Sequence, residues 1–356
     1  MRLAVQSNLV PFDPMTATTE EWSRLHAYRA RRHEERDPDD PYVEDAAVEA
    51  MMRQADPDSE VLRFAALDPE QPEVQIGMLT FEVFRPESPS YRGNEHIAWV
   101  SLGVLTPCRR RGVGRIMLRK AAELALESRK TTIQGSAEED DGKAFLRAIG
   151  AQVGVRGVEN RLSLDRVDWR MVESWVAEGA ARNPDTSLLW FVNRIEDDLL
   201  PAFAKAITEV FNQQPFGDLE HGSFVFTPDT IRGNEGRFTT LGGTALTVVS
   251  REKDGDISAL TQMGYMPSEA PIIRQWMTGV RDPYRGRGLG KWLKASMLLR
   301  VRKDLPQARI VSTGNATTNA AMLSINERLG FRVHKERVGA QIKLEALEAY
   351  LRARRT

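Results

Sequence analysis

The chain has 356 residues, enough for two domains of ordinary size or one unusually large domain. Hydrophobic residues make up 41% and charged residues 28% of the sequence, which excludes a disordered, collagen-like or fibrous protein. With 49 Lys and Arg against 50 Asp and Glu, the formal net charge is −1, too balanced for a protein that mainly binds the nucleic-acid backbone. We therefore expect no nucleic-acid partner.

Cysteine content and hydropathy exclude further classes. The single cysteine, Cys108, cannot close an intramolecular disulfide or supply the thiolate set of a structural zinc or iron–sulfur site, and the five histidines are scattered. We expect no metal site. No apolar run approaches the ~18 residues that cross a bilayer, and the first fourteen residues lack the apolar core of a signal peptide. These observations predict a cytoplasmic protein with no membrane partner.

In chain order, the first half alternates helical and strand patterns. Apolar periodicity and breaker residues predict two helices followed by three strands, over 19–35, 43–54, 61–67, 74–84 and 96–105. The third strand leads into a loop rich in arginine and glycine, and an amphipathic helix follows that loop. Mixed helices and hairpin-spaced strands predict an α/β (α+β) unit around a mostly antiparallel sheet.

The same landmarks return in the second half. Gly103-Val104 and, after it, Arg109-Arg110-Arg111-Gly112-Val113-Gly114 reappear as Gly279-Val280 and Arg285-Gly286-Arg287-Gly288-Leu289-Gly290. Matching patterns predict a helix over 196–212 and strands over 243–251, 257–265 and 272–280. The repeat predicts two tandem domains, at 1–165 and 184–356, joined by a linker helix within 166–183.

A strand that runs into a glycine loop and then a helix presents backbone N–H groups at the positive end of the helix dipole. This geometry binds phosphate, and the flanking arginines add charge-assisted hydrogen bonds. A Walker A loop is excluded, since Arg285 and Trp292 stand where that motif needs Gly and Ser or Thr. A dinucleotide loop is excluded by Met117 and Leu293 at its third glycine. A tight turn with solvated arginines stays open as the structural alternative.

The paired Arg-x-x-Gly-x-Gly loops resemble the coenzyme A (CoA) pyrophosphate loop of the GCN5-related N-acetyltransferase (GNAT) superfamily. In the second copy, Thr313-Gly314-Asn315 and the stretch from Asn319 to Gly330-Phe331 look like the superfamily's second CoA motif. The resemblance covers nearly the whole chain as a tandem of two GNAT domains, an architecture known from mycothiol synthase.

The resemblance implies a sheet whose central strand splays at Val104 or Val280, binds the pantetheine arm and leaves the thioester in a V-shaped opening. It assigns to acetyl-CoA, the co-substrate, positions in both copies: Val280, Arg285, Gly286, Arg287, Gly288, Leu289, Gly290, Asn315, Asn319, Val104, Arg109, Arg111, Gly112, Val113 and Gly114. The implied reaction is direct attack of a primary amine of a small-molecule acceptor on acetyl-CoA, by a monomer or a homodimer.

The two copies differ at positions that matter for this chemistry. Many GNAT proteins carry a tyrosine acid four residues before the last glycine of the second motif, where this chain has Asn326 and, in the first copy, Leu146. The Asn326 amide can donate a hydrogen bond to the departing sulfur but cannot transfer a proton. The first copy also has Glu138-Glu139-Asp140-Asp141 in place of the asparagine-rich loop. We therefore predict a degenerate first copy and a catalytic second copy.

The base and the acceptor are less well defined. Asp218 and Glu220 follow the first helix of the second copy, the segment that lines the acceptor side in GNAT folds, so they are candidates for base or amine-binding groups, with an ordinary loop as the alternative. The missing tyrosine keeps open a second function, a non-catalytic acyl-CoA sensor.

Overall fold

The computed structural model describes residues 8–353 and contains the predicted helices and strands, with ends displaced by a few residues. The strands are β1 (Asn8–Pro11), β2 (Ser59–Leu67), β3 (Gln75–Phe84), β4 (Ile97–Val104), β5 (Thr132–Ala137), β6 (Gln152–Ser163), β7 (Ser187–Val192), β8 (Thr244–Arg251), β9 (Ile257–Tyr265), β10 (Ile272–Val280), β11 (Ile310–Ala316) and β12 (Arg332–Lys343). The helices are α1 (Thr19–Arg36), α2 (Asp45–Met52), α3 (Val113–Glu127), α4 (Asp140–Ala148), α5 (Trp169–Arg182), α6 (Leu200–Asn212), α7 (Pro228–Thr240), α8 (Leu289–Asp304), α9 (Ala320–Leu329) and α10 (Leu344–Ala353).

The described chain forms two units that are discontinuous in sequence. Unit 1 comprises residues 8–155, Gly217–Ser223 and 337–353, and unit 2 comprises Arg156–Phe216 and Phe224–Glu336. The predicted domains, 1–165 and 184–356, were continuous segments, and their outermost residues, 1–7 and 354–356, lie outside the described part of the chain. The helix predicted as a linker is α5, and it packs against α8 inside unit 2.

Unit 1 is a six-stranded sheet in the order β1-β2-β3-β4-β5-β12, antiparallel except for the β4–β5 pair. The core beside α3 includes Met117 and Ala121, which are fully buried, and α1 adds Trp22 and Leu25. Because these side chains recur at helical spacing, each helix presents one apolar face to the core. Residues of α10 and β12 complete a second apolar cluster of the same unit.

Unit 2 repeats the arrangement in the order β6-β11-β10-β9-β8-β7, with β10 and β11 parallel and the other pairs antiparallel. Its core includes Val248, Met263, Leu293 and Val311, all fully buried. Helix α8 is covered by α5 as well as by the sheet, because Gly179 of α5 lets the ring of Trp292 approach its backbone.

The last strand of each sequence copy pairs with a strand of the other copy, which explains why the units are discontinuous. In unit 2, the β6 residues from Gly157 to Ser163 pair with Ala316 to Ile310 of β11. In unit 1, the β12 residues from Val338 to Lys343 pair with Ala137 to Thr132 of β5. The boundaries therefore fall inside β6 and β12, where sequence patterns give no sign of a change of sheet.

Between residues 8 and 353, none of the helices combines the length and the apolar character needed to cross a bilayer.

Candidate functional site

In both units the two parallel strands separate before they end. The β4–β5 ladder stops at the pair Trp99–Gln134, although β4 continues to Val104. The β10–β11 ladder stops at the pair Gln275–Thr313, although β10 continues to Val280. Each sheet therefore opens toward the end of its central strand, as the resemblance implied, and each opening adjoins the start of a glycine loop.

In unit 2 the loop after β10 is shaped by glycine. Gly286 and Gly288 have φ angles of +82° and +79°, in the left-handed region that favours glycine. Gly288 is the N-cap of α8, so the first N–H groups of that helix have no partner within the helix. No described atom lies within 4 Å of the place that a Cβ of Gly286 would occupy. The space beside Gly286 is thus open, whereas Nη1 of Arg182 would lie 3.3 Å from a Cβ on Gly288 at the start of the helix.

The two arginines of this loop have different environments. Arg285 is more than half exposed, and its Nη2 lies 2.7 Å from Oδ1 of Asp282. Arg287 is held in place, because its Nε donates to Oδ1 of Asn183 at 3.0 Å and its Nη1 lies 3.1 Å from Oε1 of Glu252. Arg287 therefore fixes the loop to the end of α5, whereas Arg285 stays largely exposed, with its Nη2 also donating to Oε1 of Gln213 at 3.2 Å.

Three elements converge beside the start of α8. A Cβ on Gly290 would lie 3.5 Å from Cγ2 of Val280, at the end of β10, and 4.0 Å from Cδ1 of Ile325, on α9. Leu289, between the loop and the helix, is 1% exposed and anchors this corner in the core. The end of the splayed strand, the glycine loop and α9 thus border the same space.

Behind this corner, unit 2 contains a chain of buried polar side chains. Asn326 of α9 is 2% exposed. Its Nδ2 donates to Oδ1 of Asn315 at 2.7 Å, and its Oδ1 accepts from Nζ of Lys294 on α8. Asn319 caps α9, with its side chain accepting from the backbone N–H of Met322 at 3.3 Å. Of the three predicted asparagines, Asn315 and Asn326 are in direct contact, and Asn319 sets the start of the helix that carries Asn326.

Strand β10 contains a bulge where it leaves β11. The register with β9 shifts between Gln275 and Met277, so Trp276 is the inserted residue. A bulge leaves the extra residue outside the ladder and re-aims the local backbone. The corresponding β3–β4 ladder of unit 1 runs from Gly77–Val104 to Glu82–Trp99 in regular register. The bulge therefore distinguishes the second opening from the first.

In unit 1 the loop arginine that corresponds to Arg285 is neutralised inside the protein. Nη2 of Arg109 lies 2.6 Å from Oε2 of Glu139, and Nη1 lies 3.0 Å from Oδ2 of Asp141. Its Nε donates to the backbone carbonyl of Val104 at 3.1 Å, at the end of the splayed strand. The acidic stretch that replaces the asparagine-rich loop thus holds Arg109 against the strand that the resemblance assigned to pantetheine.

The remaining loop residues of unit 1 keep the turn. Gly112 is the N-cap of α3 with a φ of +93°, and Val113 is 1% exposed. Arg110 stands where the second copy has a glycine and keeps the left-handed conformation, with a φ of +61°, at a cost of roughly 1–2 kcal/mol for a residue with a Cβ. Arg111 and Gly114 are half-buried. The first loop therefore conserves the turn, while its Arg109 is held by two carboxylates.

The same acidic stretch binds α1. Arg32 donates to Oε1 of Glu139 at 2.6 Å, and Arg36 pairs with Glu138. Burial, the largest influence on Glu139, raises its pKa, but the hydrogen bonds from Arg32 and Arg109 outweigh burial and leave the pKa below its usual value. Glu139 is thus an ionised bridge between two arginines.

A small apolar cavity of about 90 Å³ lies in the opening of unit 1. Its walls come from β4, β5, α3, α4 and β12, and include Leu102, Leu118, Gly135, Phe145 and Ile342. The splay thus leaves space in the first sheet too, beside a loop whose arginine is already paired.

The structure places the predicted base candidates in unit 1 and the second glycine loop in unit 2. Asp218 donates its backbone N–H to the carbonyl of Gly154 at 2.9 Å. The carboxylate of Glu220 lies 2.6 Å from Nζ of Lys343 and accepts from the hydroxyl of Thr132 at 2.9 Å. The hydrogen bond from Lys343 lowers the pKa of Glu220, which makes it a weaker base. Both residues fasten the segment Gly217–Ser223 to the sheet of unit 1.

Two features of the second opening were not predicted from the sequence, Lys294 and the bulge at Trp276. Lys294 is four residues after Gly290, the spacing of neighbours on one helix face, and this spacing could have indicated it. The bulge has no signal in the strand pattern, which reads as one uninterrupted run.

Comparison with known proteins agrees with this geometry. The sequence model of the acetyltransferase (GNAT) family matches residues 21–147. No curated protein sequence matches the chain. The matched segment lies in the first copy, so the copy predicted to be degenerate keeps the family's sequence features although its loop arginine is paired.

Solved structures share the whole architecture. A tandem GNAT protein from the clavulanic acid biosynthesis pathway has 21% identity and a TM-score of 0.72, over 95% of this chain and 99% of its own. A GCN5-related N-acetyltransferase from Sphaerobacter thermophilus has 13% identity and a TM-score of 0.63, over 95% of both chains. A putative acetyltransferase from Pyrococcus horikoshii has 13% identity and a TM-score of 0.52, over 96% of this chain and 91% of its own. Residues 21–147 thus belong to the acetyltransferase (GNAT) family, and the chain as a whole has the tandem GNAT fold.

Proposed function

We propose that this protein is an acyl-CoA-dependent N-acetyltransferase that uses unit 2 to transfer the acetyl group of acetyl-CoA to a primary amine of a small molecule. The observation that carries the proposal is the second glycine loop: Gly286 and Gly288, both at positive φ, lead into the N-terminus of α8 beside Val280, at the end of the strand that has left β11. An anion site next to an opened sheet suits a long ligand with a pyrophosphate at one end and a thioester at the other.

The residues of unit 2 offer a binding mode for acetyl-CoA. The N–H groups of Gly288, Leu289 and Gly290 and the exposed guanidinium of Arg285 would bind the pyrophosphate. The free edge of β10 near Val280 would pair with the amides of pantetheine. The thioester would then lie in the opening, beside the bulge at Trp276.

The reaction proposed is direct attack of a neutral amine on the thioester carbonyl. The amine nitrogen forms a bond to carbon and becomes positively charged, while the carbonyl oxygen gains negative charge. The nitrogen then loses a proton to solvent, the oxygen re-forms the C=O bond, and the C–S bond breaks with its electron pair leaving on sulfur. The bulge supports oxyanion stabilisation, since an N–H released from the ladder can donate to the charged oxygen. Removal of one such donor from other enzymes slows turnover by about 10²–10³-fold.

The first copy lacks the corresponding features. Its Arg109 is bound by two carboxylates and by the Val104 carbonyl, so pyrophosphate would have to displace the carboxylates. Its central strand also has regular register. These contacts support the assignment of catalysis to unit 2, with unit 1 as a supporting domain.

Matched substitutions in the two loops test the assignment. Gly288→Val places a β-branched side chain at a φ of +79° in the anion site. Loss of two hydrogen bonds to a charged group, at about 1.5–3 kcal/mol each, should weaken CoA binding by roughly a hundredfold or more. Gly112→Val, at a φ of +93° in the first loop, is the control and should leave the affinity unchanged. Calorimetry with CoA measures both.

Unchanged affinity in folded Gly288→Val would refute the pyrophosphate site, and a loss confined to Gly112→Val would assign CoA to unit 1. Release of free thiol from acetyl-CoA in the presence of a panel of primary amines tests the activity itself. CoA binding at the second loop without thiol release on any amine would favour the non-catalytic acyl-CoA sensor.

A further inference from the structure

A lysine is buried in the interior of unit 2, one helical turn from the second glycine loop. Lys294 is 1% exposed and lies on α8 among the buried residues Leu293, Ala295 and Met297. Burial of a charged side chain without a counter-ion is unfavourable, so such a residue is rarely retained for packing alone.

The position of Lys294 relates it to the glycine loop. Lys294 follows Gly290 by four residues, so both lie on one face of α8, about 6 Å apart along the helix axis. That face meets α9, because a Cβ on Gly290 would approach Ile325 and Nζ of Lys294 donates to the next residue, Asn326. The lysine therefore lies one helical turn behind the proposed pyrophosphate site.

A polar chain connects this lysine to the opening of the sheet. Asn326, the acceptor of the Lys294 hydrogen bond, donates through its Nδ2 to Oδ1 of Asn315 at 2.7 Å. Asn315 is beyond Thr313, the last β11 residue paired with β10, and so stands in the splayed part of the sheet. Asn326 is also the residue at the position of the missing tyrosine acid.

Apart from Asn326, the partners of the Lys294 ammonium are weak ones that a stronger acceptor could replace. Besides Asn326, its Nζ meets two soft partners, Sδ of Met322 at 3.7 Å and the ring of Phe331, whose centre is 4.8 Å away. The nearby cations Lys291 and Arg328 stack on Trp175 of α5 instead.

Across residues 8–353 no ion pair includes Lys294, and burial lowers its pKa to about 7. An ammonium with three N–H groups and one oxygen acceptor can take a further acceptor, and an anionic sulfur is one.

We propose that Lys294 is the catalytic acid of the transfer, donating a proton to the CoA sulfur as the thiolate leaves. The inference rests on the proposed function and on unit 2 as the site of the thioester. When the C–S bond of the tetrahedral intermediate breaks, its electron pair stays on sulfur. The sulfur then takes a proton from Nζ, which gives the CoA thiol and a neutral lysine. The lysine regains a proton from solvent after CoA departs.

The proton affinities suit this direction of transfer. A thiol has an ordinary pKa of about 8.5, above the value of about 7 for Lys294, so the proton moves to the stronger base. Asn326 would hold the ammonium through its carbonyl oxygen, a role that an asparagine can fill although it cannot itself supply a proton.

The experiment measures the ionisation of CoA bound to the protein and needs no acceptor. Thiolate absorbs in the ultraviolet, so the pKa of the bound CoA thiol is read from a pH titration of the difference spectrum, with a CoA analogue that lacks the sulfur as the blank. A cationic neighbour should lower the pKa of the bound thiol by about one unit relative to free CoA, which still leaves the thiolate a stronger base than Lys294. Lys294→Met should return it to the free value, whereas Lys291→Met, on the same helix, should leave it lowered.

The outcomes separate this inference from the proposed function. A bound thiol that ionises at the same pH as free CoA, in wild-type protein, overturns the inference while CoA binding stands, and this comparison needs no variant to fold. A lowered thiol pKa that survives in Lys294→Met likewise overturns it. If CoA does not bind at all, the proposed function fails and the inference fails with it.

Discussion

Lys294 has opposite consequences for stability and for the proposed chemistry. Its folded-state pKa of about 7 lies below the ordinary 10.5, so between these values the unfolded chain binds more protons than the folded chain. The free energy of unfolding that depends on this lysine therefore rises with pH through that window. Below about pH 7 Lys294 is protonated in both the folded and the unfolded chain, so the free energy of unfolding is reduced by the full cost of the buried charge.

Lys294→Met should be more stable than wild type at pH 7, because it replaces a buried charge with an apolar side chain of similar length. Replacement of buried ion pairs by apolar side chains stabilises other proteins by about 1–4 kcal/mol, and removal of the unpaired Lys294 charge should have an effect of that order. The advantage should shrink as the pH is raised toward 10.5. Urea unfolding of both proteins at pH 7, 8 and 9.5 measures the difference. An advantage that is constant with pH would show that Lys294 keeps an ordinary pKa in the folded state.

Some residue-level features could be predicted from the repeat and others could not. The correspondence of Arg110 with Gly286 predicts that an arginine adopts a left-handed φ, as it does. The burial of Lys294 could not be predicted from the sequence. An amphipathic helix with an apolar face formed by Leu289, Trp292, Leu293 and Met297 would place position 294 on its solvent-exposed face. Lys294 is buried because α9 and Phe331 cover this side of α8, where its Nζ contacts Met322, Asn326 and the ring of Phe331.

At the scale of elements, the start of α4 acts as a clamp on unit 1. Glu139 joins Arg109 of the glycine loop to Arg32 of α1. Asp140 and Asp141 occupy the first turn of α4, where acidic side chains are favourable to the helix dipole. The first copy therefore has carboxylates where the second copy has its asparagine-rich loop. These carboxylates connect the first glycine loop, α1 and α4.

Glu139→Gln should destabilise the protein by on the order of 1 kcal/mol at pH 7, because two charge-assisted hydrogen bonds become neutral ones that solvent partly screens. The lowered pKa of Glu139 fixes the sign: its contribution is complete above the ordinary value of 4.5 and disappears as the pH falls through the lower folded value. Denaturant unfolding between pH 7 and pH 4 measures this.

Glu138→Gln is the matched control for that experiment, since its partner Arg36 is more exposed than Arg32. It should have the smaller effect at pH 7. Equal losses in the two variants would contradict the role of Glu139 as the bridge between two arginines.

Element bounds were largely predictable, and strand partners were not. The patterns give β9 and β10 with their observed ends, since flanking turns mark both strands, although β9 is buried along almost its whole length. Within residues 8–353, seven elements were not predicted: strands β1, β5, β6, β7 and β12 and helices α7 and α10. Strands β1 and β7 are short, and α7 buries only Ile231. Strand pairing depends on tertiary contacts, which a one-dimensional pattern does not contain.

At the scale of the whole molecule, the exchange of last strands makes each copy depend on the other. Unit 1 takes from the C-terminal end of the chain the β12 residues paired with β5 and the buried α10 residues Leu344, Leu347 and Leu351. Burial of each such side chain contributes about 1.5–3 kcal/mol. Together they match the net stability of a typical domain, about 5–15 kcal/mol.

A chain that stops after residue 336 should therefore lose the fold of unit 1, although it retains every residue of the first copy and of unit 2. Protease resistance and amide hydrogen exchange, followed by mass spectrometry, should show the loss over residues 59–137. Addition of the missing segment as a separate peptide should restore part of the protection. Full protection in the shortened chain without the peptide would contradict the dependence on β12 and α10.

The exchanged strand also dictates an order of events on the ribosome. About 200 residues separate β5 from the β12 segment that pairs with it, so at 5–20 residues per second the edge of β5 waits roughly 10–40 s for its partner to be synthesised. During that interval the N-terminal half of the nascent chain exposes an open sheet edge, the feature through which chains associate wrongly. Slower translation of the second half should thus lower the soluble yield of the whole protein. The loss would come from association through the exposed edge of β5, which is synthesised long before β12.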